Sequence, residues 1–132
     1  MKVLREDSTG EMEFSGTRSE LLALGQQLRS GRGEVQLSVT PDPLPYSRSL
    51  SRIEFRQAGQ KIRFSLAGDG DSLEIRGGAD ALNLLAENIE GFASEADLSD
   101  HLHVDYFPGH DYLEDGPGSL VIAIESGAPR MK

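Results

Sequence analysis

The residues best suited to chemistry lie together, because all three histidines of the 132-residue chain fall within the segment His101–Leu113. His101, His103 and Asp105 alternate, so in a strand their side chains point to one face, about 7 Å apart. Two or three imidazoles with a carboxylate would suit zinc or iron, provided that His110 folds back to the first two. The alternative is that these side chains are solvated on the outer face of a strand and bind no metal.

The same segment also carries aromatic residues that could anchor a protein partner. Phe107 and Tyr112 flank a loop, and exposed aromatic side chains rimmed by charge are typical of interface anchors. Tyr46 lies in a second, proline-rich loop, Thr40–Leu50. The alternative is that such a loop only covers the edge of a sheet. The predicted partner-binding residues are His101, His103, Asp105, Phe107, His110, Asp111, Tyr112 and Tyr46.

Composition excludes several function classes. The chain has no cysteine, so it has no disulfide, thiolate metal site or cysteine nucleophile. It contains no G-x-S-x-G elbow, no G-x-G-x-x-G loop and no Walker motif. The net charge of −9 opposes binding to nucleic acid or to anionic lipid, and it favours a basic partner. We therefore predict no cofactor and no nucleic-acid partner.

Length and hydropathy predict one domain over residues 1–132, with a frayed tail at 126–132. No run of about 18 apolar residues is present, which argues against a membrane span. The N-terminal residues lack the apolar stretch of a signal peptide, so we predict a cytoplasmic location.

Two helices and about eight strands are predicted to position these residues. Thr17 and Glu20 form a capping box before a leucine-rich helix over 18–30, and Gly31 is a suitable C-terminal stop. A second helix is predicted over about 79–92, with Leu82, Leu85 and Ile89 on its inner face. Alternation of apolar and polar residues predicts strands near 2–4, 11–15, 35–39, 52–56, 61–66, 73–76, 101–107 and 120–124.

The order of these elements repeats. An offset of 61 aligns Gly16 with Gly77, and after the helices an offset of 67 aligns Pro41 with Pro108. We predict an α+β fold of two ββαββ pseudo-repeats, about 1–57 and 60–125. Their strands would form one mainly antiparallel sheet of about eight strands with both helices on one face. The other, wet face would carry Glu13, Arg52, Glu54, Arg56, Lys61, Arg63, Glu74, Arg76, His103 and Asp105.

Several stretches together resemble a known family. They are EMEFSG before the first helix, PDPLPY with SRIEFR, LEIRG before the second helix, and above all HLHVDYFPGHDYL followed by SLVIAIE. The pattern resembles the immunity protein 32 family of bacterial polymorphic toxin systems. The resemblance implies a cytoplasmic α+β protein that binds a cognate toxin and blocks it, with no catalytic residues. An acidic inhibitor would be attracted to a basic toxin.

Three hypotheses follow from the sequence. The first is a non-enzymatic immunity protein that uses His101–Leu113, Thr40–Leu50 and the wet sheet face. The second is a small metal-dependent enzyme or metal-binding protein that uses His101, His103 and His110. The third is a structural module that dimerises through sheet edges. They predict, respectively, a toxin gene beside this one, stoichiometric metal, and oligomers without a partner.

Overall fold

A computed structural model describes residues 1–97, 100–104 and 120–125. Five of the predicted partner-binding residues, Asp105, Phe107, His110, Asp111 and Tyr112, therefore lie outside the described residues, as does the tail predicted at 126–132. The described elements are β1 Lys2–Arg5, β2 Met12–Gly16, α1 Arg18–Arg29, β3 Arg32–Gln36, β4 Arg48–Ser49, β5 Arg52–Gln57, β6 Arg63–Leu66, β7 Ser72–Gly77, α2 Ala79–Glu95, β8 His101–Val104 and β9 Leu120–Ile124.

The first helix has the ends that its sequence predicts. The Thr17 hydroxyl accepts a hydrogen bond from the Glu20 backbone N–H at 3.2 Å, and the Thr17 N–H donates to Glu20 Oε1 at 2.9 Å. Gly31 follows the helix with φ of +83°, a conformation that side chains with a Cβ rarely adopt. Residues at the two ends thus satisfy backbone groups that the helix itself leaves unpaired.

The α+β class with two helices is confirmed, but the strands divide between two mixed sheets instead of forming one. The order is β4-β1-β2-β9-β8 in the five-stranded sheet, here sheet A, and β3-β5-β7-β6 in the four-stranded sheet, here sheet B. Two neighbouring pairs, β2 with β9 and β5 with β7, are parallel. Alternation predicts a strand and its inner face but not its partner, so these long-range pairings were not predicted.

The two parallel pairs have the same register. Gly16 faces Ile124 in sheet A, and Gly77 faces Gln57 in sheet B, which agrees with the offsets of 61 and 67. Each hairpin of one half therefore pairs with strands of the other half. A common origin of the two halves stays a prediction.

One hydrophobic cluster joins both sheets and both helices. The predicted inner residues of the helices are at most 1% exposed; they are Leu21, Leu24, Leu28, Leu82, Leu85 and Ile89. The helices contact each other closely, and Arg18 of α1 donates to the carbonyl oxygens of Ala93 and Ala96. This guanidinium supplies positive charge at the C-terminus of α2, whose last turn has no basic residue of its own.

Candidate partner-binding site

His101 and His103 lie on the outer face of β8, as their alternation predicts. Both side chains are exposed, whereas Val104 is buried. Their register partners on β9 are Ala123 and Val121, which are partly buried. The two imidazoles thus stand at the edge of a weakly polar sheet face, about 7 Å apart.

The described residues do not assemble a metal site around these histidines. No group of three His, Asp or Glu side chains with suitable geometry occurs within residues 1–97, 100–104 and 120–125. The third proposed ligand, His110, lies outside those ranges. The zinc or iron hypothesis therefore stays a prediction.

Tyr46 lies at the other edge of sheet A, because its loop leads into β4. The loop is held to the β1–β2 turn, where the Asp7 N–H donates to Ser47 Oγ at 3.1 Å. Partial burial raises the pKa of the Tyr46 phenol, and the carboxylates of Glu13 and Glu11 raise it further. The phenol is therefore held close to β2.

The structure does not bring Tyr46 next to the two histidines. Strands β1, β2 and β9 separate β4 from β8, a distance of roughly 19 Å at the usual strand spacing. A binding surface that included both Tyr46 and the two histidines would have to extend across the whole outer face of sheet A. In the row that ends at His103, that face presents Leu4, Glu13 and Val121.

A groove that the sequence did not reveal runs between α2 and β8. Phe92 and Leu102 are partly buried in it and give it an apolar component. A Cβ atom built on Gly91 would meet no described atom within 4 Å outside its own stretch of helix, so this position leaves the groove open. We call this feature the α2–β8 groove, and it is lined by Glu87, Asn88, Gly91, Phe92, Glu95, Ala96, Asp100, His101 and Leu102.

The α2–β8 groove is acidic. Among the described residues, its lining contains the carboxylates of Glu87, Glu95 and Asp100 and neither lysine nor arginine. Glu87, Gly91 and Glu95 are spaced by four, so they follow one stripe of the helix, and that spacing is the signal in the sequence that could have found the groove. Apolar surface rimmed by carboxylates suits a basic polypeptide segment with at least one apolar side chain.

Comparison with known families gave a match to a segment that contains this groove. The family model described as immunity protein 32 matches residues 72–125, which confirms the resemblance seen in the sequence. The matched segment holds β7, α2, β8 and β9, and therefore every residue that lines the α2–β8 groove. Comparison with curated proteins and with solved structures gave no significant match.

Neither α1 nor α2 has the length and apolar character needed to cross a membrane.

Proposed function

We propose that this chain belongs to the immunity protein 32 family, binds a cognate bacterial toxin protein and blocks it without catalysing a reaction. The observation that carries the proposal is the coincidence of the family-matched segment, residues 72–125, with the acidic α2–β8 groove. A toxin is the partner that the family description implies.

The groove gives the proposal a specific binding mode. A basic segment of the toxin would place its cations against Glu87, Glu95 and Asp100 and an apolar side chain against Phe92 and Leu102. The net charge of −9 would attract a basic toxin from a distance and speed association. His101, which lines the groove, is the described residue that belongs to both the predicted site and this one.

The test is inhibition of the protein encoded by the neighbouring gene. We expect co-expression to protect cells from that protein and the purified pair to form a complex. Failure of both would contradict the proposed function.

Groove variants test the location separately. We expect Gly91→Arg, which fills open space, and Glu95→Lys, which reverses a charge, each to weaken binding at least tenfold. Asp71→Lys is the matched control, because it makes the same charge change at an exposed position outside the groove. If the groove variants bind the toxin as tightly as the control does, the toxin binds elsewhere on the chain. The proposed immunity function would not be contradicted by that result.

A further inference from the structure

The outer face of sheet B carries a row of arginines that crosses all four strands. The backbone register places Arg32 opposite Arg56, Arg56 opposite Arg76, and Arg76 opposite Arg63. Register partners point to the same side of a sheet, and the alternate residues Phe55 and Ile75 are buried on the inner side. Four guanidinium groups thus follow one line, here the arginine row.

A row of glutamates lies beside the arginine row. Glu34 faces Glu54, and Glu54 faces Glu74, with Ser65 completing the row on β6. These residues are two positions along each strand from the arginines, so the rows are about 7 Å apart. In a chain of net charge −9, four of the thirteen basic residues stand in a single row.

Each row lowers the stability of an isolated subunit, because like charges directly opposite each other on neighbouring strands repel. Ion pairs along the strands offset part of this cost: Arg52 Nε lies 2.8 Å from Glu54 Oε2, and Arg76 Nε lies 2.8 Å from Glu74 Oε1. The second contact lacks hydrogen-bond geometry, since Arg76 Nε is a buried donor without a hydrogen-bond partner among the described residues.

Arg32 and Arg56 are neighbouring exposed members of the arginine row. Within the described ranges, neither guanidinium has a carboxylate within 4 Å, although the two residues are register partners. Glu34, in the neighbouring row, accepts a hydrogen bond from the neutral Gln36 side chain at 2.9 Å. Both rows therefore present charge to whatever approaches this face.

We propose that the outer face of sheet B binds a second copy of this chain. A two-fold axis parallel to the rows and midway between them turns the arginine row of one copy onto the glutamate row of the other. Arg32 then faces Glu34 of the second copy, and Arg56 faces Glu54. The contact is isologous, as in most symmetric dimers, and it turns two repulsive rows into an array of opposite charges.

The size of the face sets the strength of this dimer. Four strands span roughly 15 Å, so the charged face is smaller than the approximately 800 Å² per partner of a standard stable interface. The dimer is therefore weak and sensitive to salt. It also differs from dimerisation through sheet edges, and it leaves the α2–β8 groove free, since no residue of either row lines that groove.

The test is sedimentation equilibrium of the full chain at low and high salt. We expect a concentration-dependent dimer at 20 mM salt whose dissociation constant rises at least tenfold at 500 mM salt. Arg56→Glu alone and Glu54→Arg alone should each be monomeric. Lys2→Glu, which makes the same charge change as Arg56→Glu but on β1, should dimerise like the unmodified chain.

Mixing the variants distinguishes the two-fold arrangement from any other contact. An equimolar mixture of Arg56→Glu and Glu54→Arg should form a heterodimer, because residue 56 of each copy then faces an opposite charge at residue 54 of the other. Circular dichroism and thermal melts confirm that each variant is folded. The proposal is overturned if the unmodified chain is a monomer at millimolar concentration and low salt, or if the folded variants form no heterodimer. Either result would also be expected if this face binds the toxin instead of a second copy.

Discussion

At the scale of single residues, Tyr46 shows how a loop side chain is tied to the sheet. Its phenol is partly buried near Glu13 and Glu11, and loss of its proton would place a third negative charge beside them. Burial is the larger cause of the raised pKa, and the carboxylates add to it. The loop is thereby positioned by β2 as well as by its own proline residues.

Tyr46 should ionise at higher pH than an ordinary tyrosine. We expect the difference in absorbance at 295 nm between the unmodified chain and Tyr46→Phe to titrate with a midpoint above 10, the ordinary pKa of the phenol. Because the folded-state pKa is raised, Tyr46 contributes stability below pH 10 that is lost as the pH rises through the folded value.

Glu13→Gln provides the control for this titration. It should lower the midpoint without returning it to 10, since burial of the phenol persists. A midpoint at or below 10 in the unmodified chain would contradict the assignment.

The sequence predicted some of these residue positions and not others. The outward direction of His101 and His103 follows from alternation, which is a local property of a strand. The separation of Tyr46 from the histidines depends on the order of strands in sheet A, which no local pattern encodes. The α2–β8 groove was missed because it depends on how α2 packs beside the edge strand that follows it, which the stripe on the helix does not specify.

At the scale of elements, glycine explains both a missed boundary and a close contact. The sequence predicted a strand near 35–39, but β3 is Arg32–Gln36 and Val39 is 59% exposed. The inner position Gly33 gave no apolar signal because glycine has no side chain. The Phe55 ring covers this position, and a Cβ atom there would lie 2.8 Å from that ring. In contrast, α1 was predicted almost to the residue, since its capping residues act locally.

Two helical glycines should respond differently to alanine. Gly91→Ala should raise the free energy of unfolding by about 0.5–1 kcal/mol, because the added methyl enters open space and alanine favours the helix. At Gly25 a Cβ atom would lie 2.5 Å from Cγ of Glu90, whose carboxylate pairs with Arg29 at 2.9 Å. We expect Gly25→Ala to show no gain.

Urea denaturation of both variants measures this difference directly. The propensity change is the same in each, so it cancels when the variants are compared. An equal gain at both positions would mean that Glu90 moves aside without cost, and that the helices do not need glycine at their contact.

At the scale of the whole molecule, the two halves exchange their hairpins. The β1–β2 hairpin pairs with β9 of the second half, and β7 pairs with β5 of the first half. The α+β class and most strands could be predicted from alternation, but the division into two sheets could not. It depends on pairings between strands far apart in the sequence, which side-chain patterns do not specify.

Because of this exchange, we expect a destabilising substitution in one strand to lower the stability of both sheets. Ile122 on β9 is fully buried between β2 and β8, so Ile122→Ala should lower the free energy of unfolding by about 2–5 kcal/mol. Val39→Ala, at an exposed position, should change it by less than about 0.5 kcal/mol.

Two probes test whether the loss is shared by both sheets. Far-ultraviolet circular dichroism and tyrosine fluorescence should give coincident urea transitions for Ile122→Ala. Separate transitions would show that sheet B unfolds independently of sheet A.

The parallel pairing of β2 with β9 also determines how long β2 stays unpaired during synthesis of the chain. Strand β2 is complete at Gly16, whereas β9 begins at Leu120, and ribosomes add about 5–20 residues per second. Roughly 5–20 s thus pass in which a newly made β2 exposes an unpaired backbone edge to chaperones and to neighbouring nascent chains. A chain of this fold therefore completes sheet A only after translation has delivered β9.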